Sequence, residues 1–221
     1  MEYDIPDPEF DRIATLDIET THYKPRQGEV VSIGVGVHER GTLADTADYE
    51  LLHRTDPSVD NETELIKQSL GVLNMFDADG LVSYKGREFD IGFLNDRLEL
   101  NGAGSFHSGD LIPNDHVDLF ALRKQRCDRT GEDWPSLEDC LESYGLPVPT
   151  TIWGGEELTN VRFGEELGPA YLHGLANGGV EDLQPVVEHY LQTDLEANFA
   201  VFYADIGETF EPSLLDSEKE F

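Results

Sequence analysis

Three strand-like segments precede the first helical one, and that order restricts the fold more than any other feature of this 221-residue chain. Ile13-Ala14-Thr15-Leu16-Asp17-Ile18 reads as a strand and Val30 to Val37 as a second, joined by a polar loop that holds Pro25 and Gly28. The turn His38-Glu39-Arg40-Gly41 leads into a third, more exposed strand near Asp48 to His53. From Glu62 to Phe76 the period changes: Leu65, Ile66, Leu70, Leu73, Met75 and Phe76 fall at helical spacing. Leu81 to Tyr84 returns to a short buried strand, and Ile91, Phe93, Leu94 and Leu98 mark another helix. A Gly/Ser/Asn/Pro-rich loop covers Asn101 to Asp115, ahead of a short apolar element at His116 to Phe120. Ser136 as N-cap and Gly145 as stop, with Pro147 beyond, bound a helix over Ser136 to Tyr144. A long helix from about Glu181 to Tyr203 follows from Leu183, Val186, Val187, Leu191, Leu195, Phe199 and Phe202. Strands first and helices after predict one α/β domain, residues 1–205, built on a mixed sheet flanked by helices. Residues 206–221, acidic and carrying a Pro, are expected to form a loosely ordered tail.

Apolar residues make up 38% of the chain, including 11 Phe, 8 Tyr and 2 Trp, which is enough for a packed core. The first residues, Met1-Glu2-Tyr3-Asp4, are unlike a secretory leader, and the best apolar run, Val30 to Val37, is far too short to span a membrane. Cys127 and Cys140 show no metal-site spacing and are expected as free thiols in a reducing, cytoplasmic setting.

Forty-six Asp and Glu face 15 Lys and Arg, a net charge of −31, and only five of the cations are lysines. An acidic tail or a nucleic-acid mimic would concentrate the acid, whereas here it is spread over the whole chain. Dispersed acid around an ordinary core fits a protein of a halophile. In multi-molar salt the Debye length falls to about 3 Å or less, so self-repulsion is screened. A polyanionic partner is then not excluded, although counterion release would add little to its binding.

Asp17 and Glu19 are two apart on an apolar strand, so both side chains leave the same face. Two acids beside buried surface are costly unless a cation neutralises them, although a lone D-x-E is short and often no more than a polar strand end. Asp90 stands at the start of a helix, where N-capping is the competing role. Asp194, inside the long helix, competes with every other solvated acid of the chain.

Taken in order, these residues carry a family resemblance. Leu16-Asp17-Ile18-Glu19-Thr20-Thr21 resembles the first exonuclease motif of the DEDD superfamily, whose fold is ribonuclease H-like. Ser83-Tyr84-Lys85-Gly86-Arg87-Glu88-Phe89-Asp90 resembles the second and His189-Tyr190-Leu191-Gln192-Thr193-Asp194 the third. His116-Val117-Asp118-Leu119-Phe120 and Ser136-Leu137-Glu138-Asp139-Cys140-Leu141 are similar to connecting segments of exonucleases related to family-B polymerases, so the resemblance runs from about Ile13 to Phe202. It implies two Mg²⁺ or Mn²⁺ ions held by Asp17, Glu19, Asp90 and Asp194, with release of nucleoside 5′-monophosphates from the 3′ ends of single-stranded DNA or RNA. A protein partner in repair or replication is left open.

One branch of the superfamily orients the attacking water with Tyr in Y-x-x-x-D, the other with His in H-x-x-x-x-D, and this chain matches both through Tyr190 and His189. On a continuous helix Tyr190 lies about 40° from Asp194 and His189 about 140°, which favours Tyr190; a helix starting near His189 would reverse this.

The second motif usually has Asn before its Gly, where this chain has Lys85. Lys85 and Arg87 are candidate phosphate contacts or solvated loop charges, and Thr20, Tyr23, Lys24 and Arg26 are placed to hold the terminal nucleotide. Arg123-Lys124-Gln125-Arg126 with Arg129 is either a backbone-contact patch or a helix face paired with nearby acids. Trp153 is either a stacking surface or, more in keeping with its size, a core residue. A free-standing exonuclease is the leading functional reading; a non-catalytic binding module and a ribonuclease H-like endonuclease are the alternatives.

Overall fold

The alternation of apolar residues along β1 (Arg12–Thr20) assigns its two faces: Ile13 and Thr15 share a side with Asp17 and Glu19, while Ala14, Leu16 and Ile18 point the other way. The structure is a computed structural model that describes residues 1–106, 113 and 115–221. β1 runs antiparallel to β2 (Val30–Glu39), β2 antiparallel to β3 (Asp48–His53), and β1 parallel to β4 (Gly80–Ser83), which is parallel to β5 (Asp115–Asp118). The order β3-β2-β1-β4-β5 is the mixed sheet that the sequence predicts, with the acid-bearing strand at its centre. Part of the loop expected over Asn101 to Asp115 lies outside the described residues.

Helices α1 (Val59–Met75) and α2 (Asp90–Leu100) cover one face, where Leu65, Ile66, Leu70, Phe93 and Leu94 pack on Leu16, Ile33 and Val35. Helices α3 (Leu119–Thr130) and α4 (Leu137–Ser143) follow, the latter closed by the Ser136/Asp139 capping box and ended before Gly145, as predicted. A second, small sheet holds β6 (Thr150–Trp153) and β7 (Glu156–Glu157). One helical turn, α5 (Asn160–Arg162), runs through a π-helical turn (Phe163–Leu167) into α6 (Gly168–Asn177). The long helix α7 (Gln184–Asp205) begins three residues later than predicted, with a Pro in its first turn.

Helix α7 crosses the other face of the sheet and is buried nearly all round. It comes down onto β2 at Gly34, the partner of Asp17: a Cβ there would stand 2.7 Å from Leu195 Cδ1 and 2.9 Å from Leu191 Cγ. Gly34 therefore sets the depth at which Asp194 meets β1.

The C-terminal segment does not hang free. Phe210 and Leu215 are buried, and β8 (Glu218–Glu220) pairs parallel with β6. The reason is a buried acid: Glu196 on α7 accepts from Ser213 N (2.9 Å), Ser213 Oγ (3.1 Å), Leu214 N (2.6 Å) and Leu215 N (3.0 Å). The expected loose tail is thus corrected to a docked segment held by charge-assisted bonds. Glu196→Ala should cost about 1–3 kcal/mol in urea unfolding and open residues 210–216 to proteolysis, since Leu215 N is then buried without an acceptor and the part-buried bonds from Ser213 and Leu214 are lost; an unchanged digestion pattern would contradict this.

The basic cluster divides in a similar way. Arg123 is fully buried, its guanidinium clamping Asp205 at 2.6 and 2.8 Å, and Tyr144 Oη donates to the same carboxylate at 2.5 Å. Lys124 pairs with Glu88, and Arg126 and Arg129 donate to main-chain carbonyls. Arg123 and Lys124 follow the reading of a helix face paired with acids, whereas Arg126 and Arg129 are exposed and, among the described residues, meet carbonyls alone. Cys127 and Cys140 are buried free thiols, and Trp153 is half-buried beside the α6–α7 core with Arg162 over its ring. Among the described residues no helix is long and apolar enough to cross a membrane.

Candidate active site

Four acids from three separated stretches of sequence converge at the C-terminal end of β1. Asp17 and Glu19 project toward α7, where Asp194 meets them; one carboxylate oxygen from each of the three lies within 4.8 Å of the others. Asp90 opens α2 and lines the same cleft, of about 310 Å³.

The turn that delivers Asp90 is built without regard to side-chain pattern. Lys85 sits at φ 69°, the left-handed region, and a Cβ on Gly86 would stand 2.1 Å from Ser83 Oγ. The Asp118 carboxylate fastens it, accepting from Lys85 N (3.3 Å) and Arg87 N (2.9 Å), and also caps α3 through Phe120 N and Ala121 N. Asp90 itself is not the N-cap of α2; Phe89 holds that place.

The electrostatics are unfavourable as they stand. Burial pushes Asp17 up to about 7. Burial first, and then repulsion from the neighbouring acids, holds Glu19, Asp90 and Asp194 well above the carboxylate range. Among the described residues Lys85 is the one cation that eases Asp90, and Asp90 Oδ2 is buried with no hydrogen-bond partner among them. Buried carboxylates that lack protons or cations cost several kcal/mol each. An oxygen-only donor set with an orphaned carboxylate oxygen fits a hard divalent cation, so the residues present suit a metal.

Helix α7 decides the geometry of the third motif. Because it starts at Gln184, His189 is well inside it and turns toward the small sheet, where its ring nitrogens meet Thr151 Oγ1 (2.8 Å) and Ser217 Oγ (3.2 Å). Tyr190 shares the face of Asp194. Its ring stacks on Phe163 (5.8 Å, 23°) and its hydroxyl donates to Asn160 Oδ1 at 2.8 Å. Burial, followed by the charges of Asp194 and Glu19, raises the phenol well above its ordinary value, so it keeps its proton.

Of the expected substrate contacts, Thr20, Tyr23 and Lys85 line the cleft. Tyr23 is 66% exposed at its mouth, stacked on His22 (4.5 Å, 20°) with Lys24 Nζ 5.1 Å from its ring. Arg87 does not join them. Its guanidinium donates to His116 O and faces a separate recess with Tyr3 and Ile5, because Asp118 holds the 85–87 backbone so that the side chain leaves on the far side. Arg26 is exposed in the same loop as Tyr23 but does not line the cleft. Glu138 and Asn160 line the cleft and were not read from the sequence as site residues; Ser136 as a cap marked the element, and nothing local marked Glu138.

A family model of the RNase H superfamily matches residues 14–151, more than half of the chain. The chain belongs to the ribonuclease H superfamily. The matched stretch holds Asp17, Glu19 and Asp90 and ends before α7. No curated protein matches the sequence. Among solved structures, the family B DNA polymerase of the hyperthermophilic archaeon Pyrobaculum calidifontis aligns with 98% of this ribonuclease H-like chain at a TM-score of 0.54 and 16% identity. The alignment covers 28% of the polymerase, so the shared fold is one part of a much longer protein. The zinc-bound E. coli ExoI–ssDNA complex aligns with 78% of the chain and 42% of its own, at a TM-score of 0.45 and 11% identity.

Proposed function

We propose that this ribonuclease H-like chain is a metal-dependent 3′→5′ exonuclease that releases nucleoside 5′-monophosphates from single-stranded DNA or RNA. The convergence of Asp17, Glu19, Asp90 and Asp194 on one cleft, with Asp90 Oδ2 unpartnered, carries this reading. These four acids would hold two Mg²⁺ or Mn²⁺ ions. When bound, such a pair supplies charge to both the attacking and the leaving oxygen of the phosphodiester.

The chain's own groups do the rest. Tyr190, protonated and with its proton given to Asn160, offers its oxygen lone pairs as acceptors and so can orient a water by receiving one of its O–H bonds. Asn160 fixes the rotation of that hydroxyl. Thr20 and Tyr23 border the place where the terminal nucleoside would sit, and Lys85 supplies a positive charge at the phosphate. Dispersed surface acid reads as salt adaptation, so the enzyme is expected to work in molar KCl.

The test uses 5′-labelled linear and covalently closed single strands, of DNA and of RNA, in molar KCl with Mg²⁺ or Mn²⁺. Nucleotides should leave the 3′ end one at a time, closed circles should survive, and EDTA should stop the reaction. Cut circles would indicate an endonuclease, and no metal-dependent loss from any substrate would sink the enzymatic reading. In the same assay Tyr190→Phe should lower kcat by about 10²- to 10⁴-fold, the range of a positioned group acting on the attacking water, whereas His189→Ala should stay close to the parent.

A further inference from the structure

Beyond the cleft, one large aromatic side chain stands in the open with its orientation fixed. Trp134 is 55% exposed, although its indole N–H donates to Asp128 Oδ1 at 2.9 Å and its ring meets Phe120 edge-on at 5.9 Å. An exposed tryptophan with no packing role usually rotates freely; this one is held at its polar tip and along one edge.

Trp134 is continuous with the cleft in two ways. Along the chain, Ser136, Leu137 and Glu138 follow it immediately and line the cleft wall. Through space, Tyr84 lines the cleft, donates to Pro135 O at 2.6 Å and packs on Phe120 at 5.5 Å, and Phe120 touches Trp134. Cations follow the same line. Lys85 Nζ lies 4.9 Å from the Phe120 ring and Lys124 Nζ 4.9 Å from the Trp134 ring. Two of the chain's five lysines thus flank one aromatic pair in a protein of net charge −31.

We propose that Trp134 is a stacking platform for a nucleobase upstream of the terminal nucleotide, with Lys85 facing the intervening phosphates and Lys124 held at the ring by Glu88. This rests on the nuclease reading of the cleft. The chemistry suits a single strand: every base has a π-face, and ring stacking does not depend on counterion release, so it survives in salt that removes ionic contacts. The pinned indole loses little freedom on binding, and at 55% exposure it is open to a stacking partner.

Binding is read apart from cleavage with Asp17→Asn as the hydrolysis-blocked parent, titrated in molar KCl with oligothymidylates of two to eight nucleotides and with dTMP. Oligomers that reach the platform should quench indole fluorescence, dTMP should not, and the length at which quenching appears gives the register. The quench should vanish in Trp134→Phe, which leaves Trp153 in place. Trp134→Ala should bind the octamer about 5- to 150-fold more weakly, the span expected for one stacked base, and Trp134→Phe should recover most of that loss. Equal octamer affinity in the parent and Trp134→Ala overturns the platform while leaving the nuclease reading standing, as does quenching by dTMP equal to that by the octamer. If the parent binds no oligomer at all, both fall together.

Discussion

Asp17→Asn should abolish nuclease activity, by about 10³-fold or more, and yet make the metal-free protein melt at a higher temperature. The loss follows from removing a carboxylate that would neutralise and place a metal, worth several kcal/mol at about 1.4 kcal/mol per decade of rate. The gain follows from the cleft itself, where Asp17 is held up at about 7 by burial and Glu19 and Asp90 are also raised. An unfolded aspartate titrates near about 3.9. Between those values the folded carboxyl keeps a proton that the unfolded one has lost, so the stability of the metal-free protein falls as pH rises through that window. An amide has no proton to lose. Calorimetry in molar KCl with EDTA, from pH 5 to 8, should give a Tm that falls with pH in the parent and falls less steeply in Asp17→Asn. Mn²⁺ should raise Tm most at the alkaline end and only where the acid set is intact. A parent whose Tm is flat or rises with pH in EDTA would refute the description of the cleft as a strained set of acids.

The second large effect should come from Glu62, which touches no part of the cleft. Its buried carboxylate receives Arg97 Nε (2.9 Å) and Nη2 (2.7 Å), Asn101 Nδ2 (3.0 Å) and Val30 N (2.8 Å), with Arg54 Nη1 at 3.9 Å. Arg97 reaches on to Pro25 O at 2.7 Å, in the loop that carries His22 and Tyr23 to the cleft mouth. Glu62→Ala leaves two buried guanidinium groups short of a counter-charge, at a cost of about 3–5 kcal/mol. For a chain of this size that is a fall in Tm of roughly 6–20 °C. Because the loop wall loosens while the four cleft acids stay, KM for an oligonucleotide should rise before kcat falls. A Glu62→Ala protein as stable as the parent would remove both expectations.

The sheet and the acid set were legible because they rest on local pattern. β1 and β2 alternate or run apolar, Ser136 and Gly145 bracket α4, and the second and third motifs each lie at the start or on one face of a helix. The preference for Tyr190 over His189 turned on where α7 begins, and the apolar run Leu183, Val186 and Val187 ahead of His189 was the local signal. What was not legible depends on neighbours distant in sequence. Glu196 and Glu62 are buried acids among 46, and no local feature separates them from the solvated ones. Arg123 sits in a run of cations and is nevertheless internal, because Asp205 stands 82 residues away to receive it. β7 is two residues long, and β8 pairs only because Glu196 brings its chain alongside β6, so neither leaves a periodic trace.

The turn ahead of Asp90 bears on how relatives of this chain can be found. What that turn demands is a backbone shape: a left-handed residue at 85 and an absent side chain at 86, where even a methyl would run into Ser83. Asparagine is the cheap occupant of the first position, but the shape leaves the side chain outside, so a lysine is accepted for about 1 kcal/mol of backbone strain. A signature spelled in letters, with asparagine required, would pass over such chains. One spelled in torsion angles and free volume would retrieve them, and would treat the glycine as the invariant letter.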